Sequence, residues 1–316
     1  MLIKNFLITF CLNGSITLND LAVDGTIGLN THGSGNATVV NDVGLQFAAS
    51  SVGGDLHATS TTGNMTQSGG LDIEGTTTLI TSADDATITL GTTSNAFTGA
   101  LLITTNDSGT DTAGDVSVHG GTTALVIGDS TVDGDLTLTS TATGNAAVTD
   151  TGTLNIRGTT TVTASGGDVT LNTAANNFQG AVAIDGVNVI VVDAGAIELG
   201  ASTVTGTYAV TATAGGDITD SGVLTITGLA TFKAASGQNV TLNETSTFSS
   251  DVNFTTASGN LANVTITDTN DFEIQALTLS GNLGVTSTGG SITDDGALAI
   301  SGTSSFTTSA SDEGIT

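Results

Sequence analysis

The sequence predicts an all-β protein, a right-handed parallel β-solenoid with three short strands in each coil. Three observations carry that expectation. About one residue in five of the 316 is Thr, and there are 43 Gly and no Pro. Apolar residues reach 38% while aromatics stop at 3%, so the apolar content is Val, Leu, Ile and Ala. Short boxes of alternating character recur along almost the whole chain. β-Branched residues are stiff at χ1 and favour extended backbone. Helix-favouring Lys, Arg, Glu and Gln are too scarce for a helical bundle, and a mean hydropathy of +0.26 argues against a disordered acidic chain.

The strongest box is Leu-x-Ile-x-Gly, at Leu71-Asp72-Ile73-Glu74-Gly75, Leu154 to Gly158, Leu224 to Gly228 and Leu298 to Gly302, with starts 83, 70 and 74 residues apart. A polar turn precedes each copy, as in Thr149-Asp150-Thr151-Gly152, and a Thr-rich stretch such as Thr159-Thr160-Thr161-Val162 follows. A second box, Ile88-Thr89-Leu90, recurs at Val169 to Leu171 and Val240 to Leu242 and is matched early by Ile16-Thr17-Leu18. Period-2 alternation turns one face of each strand inward and the other outward. Asn-Gly and Asp-Gly hairpin turns are too few to join every strand pair, whereas recurring slots are what stacked coils need to shield one another's apolar faces. Four coils per long repeat give roughly 18–21 residues per coil. Some 16 or 17 coils would make a rod on the order of 80 Å, right-handed by the rule for parallel crossovers. The absence of Pro keeps every backbone N–H for the inter-coil ladder.

Residues 1–13 form a short apolar segment, read as a signal remnant or a cap, and residues 14–316 are expected to be one continuous solenoid of about four long repeats. No stretch approaches the ~20 apolar residues of a transmembrane helix. Cys11 is the only cysteine, so no intrachain disulfide can form. Lys4, Arg157 and Lys233 are the only basic residues against 30 Asp and Glu, a net charge of −27. No basic patch can be built from three cations, which excludes nucleic acid and anionic membranes as partners. The spread of negative charge favours solubility.

Segments such as Gly281-Asn282-Leu283-Gly284-Val285-Thr286-Ser287-Thr288-Gly289-Gly290-Ser291-Ile292-Thr293-Asp294 and Gly158-Thr159-Thr160-Thr161-Val162-Thr163-Ala164 resemble the repeats of filamentous-haemagglutinin-type exoproteins. These are large bacterial surface or secreted adhesins with β-helical shafts, many exported by two-partner secretion, and giant autotransporters share the pattern. The resemblance implies a non-catalytic shaft segment at the cell surface or outside the cell. Contacts with a receptor or glycan would lie in regions outside this chain. The family's export domain carries Asn-Pro motifs, and this chain has no Pro. The alternatives are a self-assembling extracellular filament, since a solenoid end offers unpaired strands to another copy, and a polysaccharide-acting β-helix enzyme.

An enzyme of that kind would need acids on several adjacent coils. Arg157, Lys233 and His57 fall at repeat positions that other copies fill with unrelated residues, His119 has no acid close in sequence, and His32 lies in a Gly-rich turn. Asp84-Asp85 and Asp294-Asp295 are adjacent and sit where Asp closes turns. Gly-Asp at Gly54-Asp55, Gly134-Asp135, Gly167-Asp168 and Gly216-Asp217 could align carboxylates toward Ca²⁺, but the Gly-Gly-x-Gly-x-Asp nonapeptide of calcium rolls is absent. Thr-x-Thr pairs (Thr87/Thr89, Thr137/Thr139, Thr161/Thr163, Thr265/Thr267) fall on many strands rather than one face, and the eight Asn-x-Ser/Thr sequons follow from composition. The reading therefore assigns no catalytic residue, no metal site and no cofactor.

Overall fold

The computed structural model describes residues 5–9, 13–31, 33–106, 109, 113–309, 311 and 313–316. Among them there are strands and turns but no helix, and the strands pair in parallel. The chain divides into two compact units, Met1–Gly167 and Asp168–Thr316. Both are β-solenoids, and their strands make about 14 coils in all.

Strands return to the same place every third element. In the first unit Leu45–Phe47, Ser50–Val52 and Leu56–Ser60 make one coil; Met65–Gln67, Leu71–Ile73 and Thr77–Asp84 lie directly on them, in the registers Leu45↔Met65, Ser50↔Leu71 and Leu56↔Thr77. In the second unit Ile197–Leu199, Ser202–Val204 and Tyr208–Ala212 are covered in turn by Ile218–Asp220, Leu224–Ile226 and Ala230–Ala234. Coil length varies more than the sequence implies. It is 19 residues at Ala37↔Leu56 but 28 at Ile88↔Val116. Longer steps of this kind leave fewer coils than the 16 or 17 expected from an even period. The N-terminal apolar segment contributes a strand, Asn5–Thr9, parallel to Thr26–Asn30; Lys4 and Cys11 lie outside the described residues.

Most strands bury alternate residues, as the period-2 pattern requires. Val39, Ala58, Leu79 and Ile103 form one inward column over four successive coils and all are fully buried. The Leu and Ile of the first three Leu-x-Ile-x-Gly boxes are equally buried. The interior of the second unit also holds an aromatic cluster: Phe232 meets Tyr208 and Phe248 edge-on at 6.1 Å and stacks on Phe254 at 6.0 Å. The interior is therefore wide enough, over these coils, for rings to pack in their preferred offset and T-shaped arrangements.

Corners raise a hydrogen-bonding problem, because a straight strand must sometimes stack on a kinked one. Thr26–Asn30 lies against the pair Leu45–Phe47 and Ser50–Val52, Leu101–Asn106 against Leu125–Ile127 and Ser130–Val132, and Val182–Gly186 against Ile197–Leu199 and Ser202–Val204. At each kink one N–H of the straight strand would lose its backbone partner. A buried Ser supplies the acceptor: Leu29 N–H donates to Ser50 Oγ at 3.0 Å, Ile103 N–H to Ser130 Oγ at 3.1 Å, and Ile184 N–H to Ser202 Oγ at 2.9 Å. Each hydroxyl then donates to the carbonyl two residues before it, that of Ala48, Gly128 or Gly200. Buried backbone groups are costly to leave unpaired, so these serines are structural despite their polarity.

Candidate functional site

The recurring Gly-Asp pairs resolve into hydrogen-bonded columns between coils. Each Asp or Asn stands just before a strand or at its start, and its side-chain oxygen accepts the backbone N–H of the equivalent residue one coil later. In the first unit Asn36 Oδ1 accepts from Asp55 N–H at 2.9 Å and Asp55 Oδ1 from Thr76 N–H at 2.8 Å; Asp115 Oδ1 accepts from Asp135 N–H at 2.9 Å and Asp135 Oδ1 from Thr159 N–H at 2.7 Å. In the second unit Asp168 bonds Asn188, which accepts from Thr207 N–H; Asp217 bonds Asn239; and Asn263 leads through Asn282 to Thr303. A carboxylate accepting backbone N–H groups is already satisfied on that side, so these acids are turn fasteners. Among the described residues no group of three or more His, Cys, Asp and Glu side chains converges as metal ligands would.

The same columns explain the glycine of the repeat box. Gly75, Gly158 and Gly302 lie directly over Asp55, Asp135 and Asn282, and a Cβ on Gly75 would sit 2.5 Å from Asp55 Oδ1. Only a residue without a side chain lets the next coil descend onto that carboxylate.

The remaining sequence candidates are dispersed. Arg157 pairs with Asp133 at 3.7 Å, on the coil before it. Lys233 lies half-buried in Ala230–Ala234 between Thr211 and Thr255, and His57 is exposed between Thr38 and Thr78. His119 Nδ1 accepts Gly121 N–H at 2.9 Å, which fixes its tautomer within its own turn. His32 is outside the described residues. Asp85 has φ = 58°, a turn conformation, and Asp295 is tied through its N–H to Ile274 O at 3.0 Å. Of the Thr-x-Thr pairs, Thr137/Thr139 and Thr161/Thr163 stack on each other, and the row extends back through Ser117 and Thr89 to Thr66. Thr265/Thr267 lies in the other unit, facing Gly284 and Thr286.

One concavity stands out, in the second unit: an open groove of about 620 Å³. It runs across successive coils at the corner that precedes Val252–Thr256, Phe272–Ile274 and Ile292–Asp294. Four acids line it, Asp251, Asp271, Glu273 and Glu313, with Asn270 and Ser291. Two of them are engaged: Asp271 Oδ1 accepts Ser291 N–H at 2.8 Å, and Ser291 Oγ donates to Glu313 Oε2 at 2.6 Å. Asp251 and Glu273 stand one coil apart, each just ahead of the Val252↔Ile274 pair. Sequence reasoning missed this groove because its acids come from different turns, each unremarkable alone; only the coil register aligns them.

No curated protein and no solved structure matches the chain. A family model does match, over residues 34–104, 113–185, 186–255 and 261–316, and each matched segment contains one Leu-x-Ile-x-Gly box. The chain therefore belongs to the family described as repeats of unknown function (DUF5649).

Proposed function

We propose that the chain is a non-catalytic shaft segment of a bacterial cell-surface or secreted adhesin, holding contact regions outside this chain away from the cell. The observation that carries the reading is the use made of its acids: the Gly-Asp carboxylates are bonded to the next coil's backbone, as a stiff stack requires and a substrate site does not. Membership of a repeat family and the resemblance to haemagglutinin-type repeats support it. The test is immunogold labelling of unfixed cells with antibody to the purified chain, alongside in-frame deletion of the repeats. Surface label with reduced adherence after deletion is the expected result; label confined to the cytoplasm overturns the proposal.

A second reading, action on polysaccharide, is favoured by the groove lined with Asp251 and Glu273. It predicts release of reducing ends from neutral or uronate polymers that is lost in Asp251→Asn and Glu273→Gln. Equal release by the wild type and both variants removes it.

A further inference from the structure

Three carboxylates of the second unit are sunk into its wall. Asp193 and Asp268 are each 1% exposed and Asp220 is 9% exposed. Each ends a strand and accepts backbone N–H groups at a corner. Asp193 Oδ2 accepts from Phe178 at 2.7 Å and its Oδ1 from Gly195; Asp220 accepts from Asn243 at 2.9 Å and Glu244 at 3.3 Å. Asp268 is the most unusual. Its Oδ1 takes three N–H groups, from Phe248, Thr269 and Asn270, while its buried Oδ2 has no partner. Its register partners on either side are the neutral Ser246 and Ser287. In the first unit one strand-end column, Asn41, Ser60 and Thr81, is likewise buried and neutral.

No cation answers these carboxylates, because Lys233 is the only basic residue in 168–316. The charged neighbours are all acids. Asp271 and Glu273 follow Asp268 at its own corner, Glu244 lies on the strand packed against it and beside Asp220, and Leu283–Ser287 on its other side has no ionisable group. Glu198 lies on the strand beneath Asp220, while Asp168 lies near the start of the strand paired with Asp193's, and Tyr208 stands on its other side. A buried carboxylate with an unpartnered oxygen and acidic neighbours is cheaper to bury neutral than charged.

We propose that residues 168–316 are an acid-tightened segment, in which Asp268, with Asp193 and Asp220, takes up protons on folding so that the coils hold more firmly in mildly acidic surroundings than in alkaline ones. The direction is consistent with burial, which raises the pKa of all three above 3.8, with Asp271 adding to the effect at Asp268. A group whose folded pKa exceeds its unfolded value gives a contribution that is complete below the unfolded value and lost as pH rises through the folded one.

The test is hydrogen exchange of the full chain with peptide resolution, at about pH 5 and about pH 7.5 after correction for intrinsic rates. Sodium chloride at about 0.5 M suppresses repulsion across the −27 surface but leaves buried groups unscreened. The expected result is slower exchange at the lower pH within 264–287, with residues 34–104 unchanged. Asp268→Asn keeps the oxygen that accepts three N–H groups and should abolish the difference in that segment. Asp271→Asn, an exposed change that retains the bond to Ser291, should reduce it and guards against a folding defect in the first variant. Equal protection of both regions, no pH effect, or an undiminished effect in both variants overturns the proposal.

Discussion

Gly75→Ala tests the account of the repeat box most directly. The added Cβ would lie 2.5 Å from Asp55 Oδ1 and 2.6 Å from the Gly54 carbonyl carbon, both inside contact distance and one of them backbone. The coil must then lift or Asp55 must turn away. Turning away releases the 2.8 Å bond to Thr76 N–H, a charge-assisted interaction worth about 1.5–3 kcal/mol. Lifting the coil instead strains neighbouring pairs, and overpacking typically costs about 1–3 kcal/mol. A loss of about 3 kcal/mol is expected. Gly91→Ala is the matched control, since nothing lies within 4 Å of its added Cβ; there the stiffer unfolded chain should yield up to about 1 kcal/mol of stabilisation. Urea titration by circular dichroism, backed by exchange rates of the 71–79 peptides in case the array unfolds in stages, reads both. If the two variants shift together, the glycine is not there to admit the carboxylate.

The corner serines should be worth more than their size suggests: Ser130→Ala strands the buried Ile103 N–H and should cost about 1–3 kcal/mol in urea unfolding, with Ser202→Ala matching it at Ile184. Asp135→Asn keeps an acceptor for Thr159 N–H and should lie within about 0.5 kcal/mol of wild type, while Asp135→Ala should lose about 1–2 kcal/mol; if millimolar Ca²⁺ protects the wild type but not the Asn variant, the column is a cation site after all. Thr77, between Leu56 and Leu101, and Thr160, beside Leu136, hold buried hydroxyls with no partner, so Thr77→Val or Thr160→Val should raise thermal stability, by about 1 kcal/mol each. Tyr208→Phe should be neutral or stabilising, because the neighbouring Ser202 hydroxyl is already committed to Ile184 and Gly200 and leaves the buried phenol unpaired.

Much of the architecture was legible because it is local. Leu71, Ile73 and their repeats alternate with polar residues, and alternation alone fixes which side chains go inward. The box glycine was visible as a repeat, but its reason was not, since it depends on a carboxylate some twenty residues earlier in sequence and one coil away in space. Ser130 looks like any surface serine until the straight strand beside its kink is known. Coil length was misjudged where the step lengthens, as between Ile88 and Val116, because composition cannot distinguish added residues from strand-joining turns. Asp268 was unreadable for the opposite reason: an acid at the end of a β-box looks exposed, and only the register with Ser246 and Ser287 encloses it.

The Asx columns all point the same way along the chain, with acceptors on the earlier coil and donors on the later one, and most finish on a Thr such as Thr76, Thr159 or Thr303. A finished coil thus presents a row of side-chain acceptors to the segment synthesised after it. Assembly of such a stack can proceed in step with emergence of the polypeptide, N-terminus first, each new turn clicking onto an edge that is already in order.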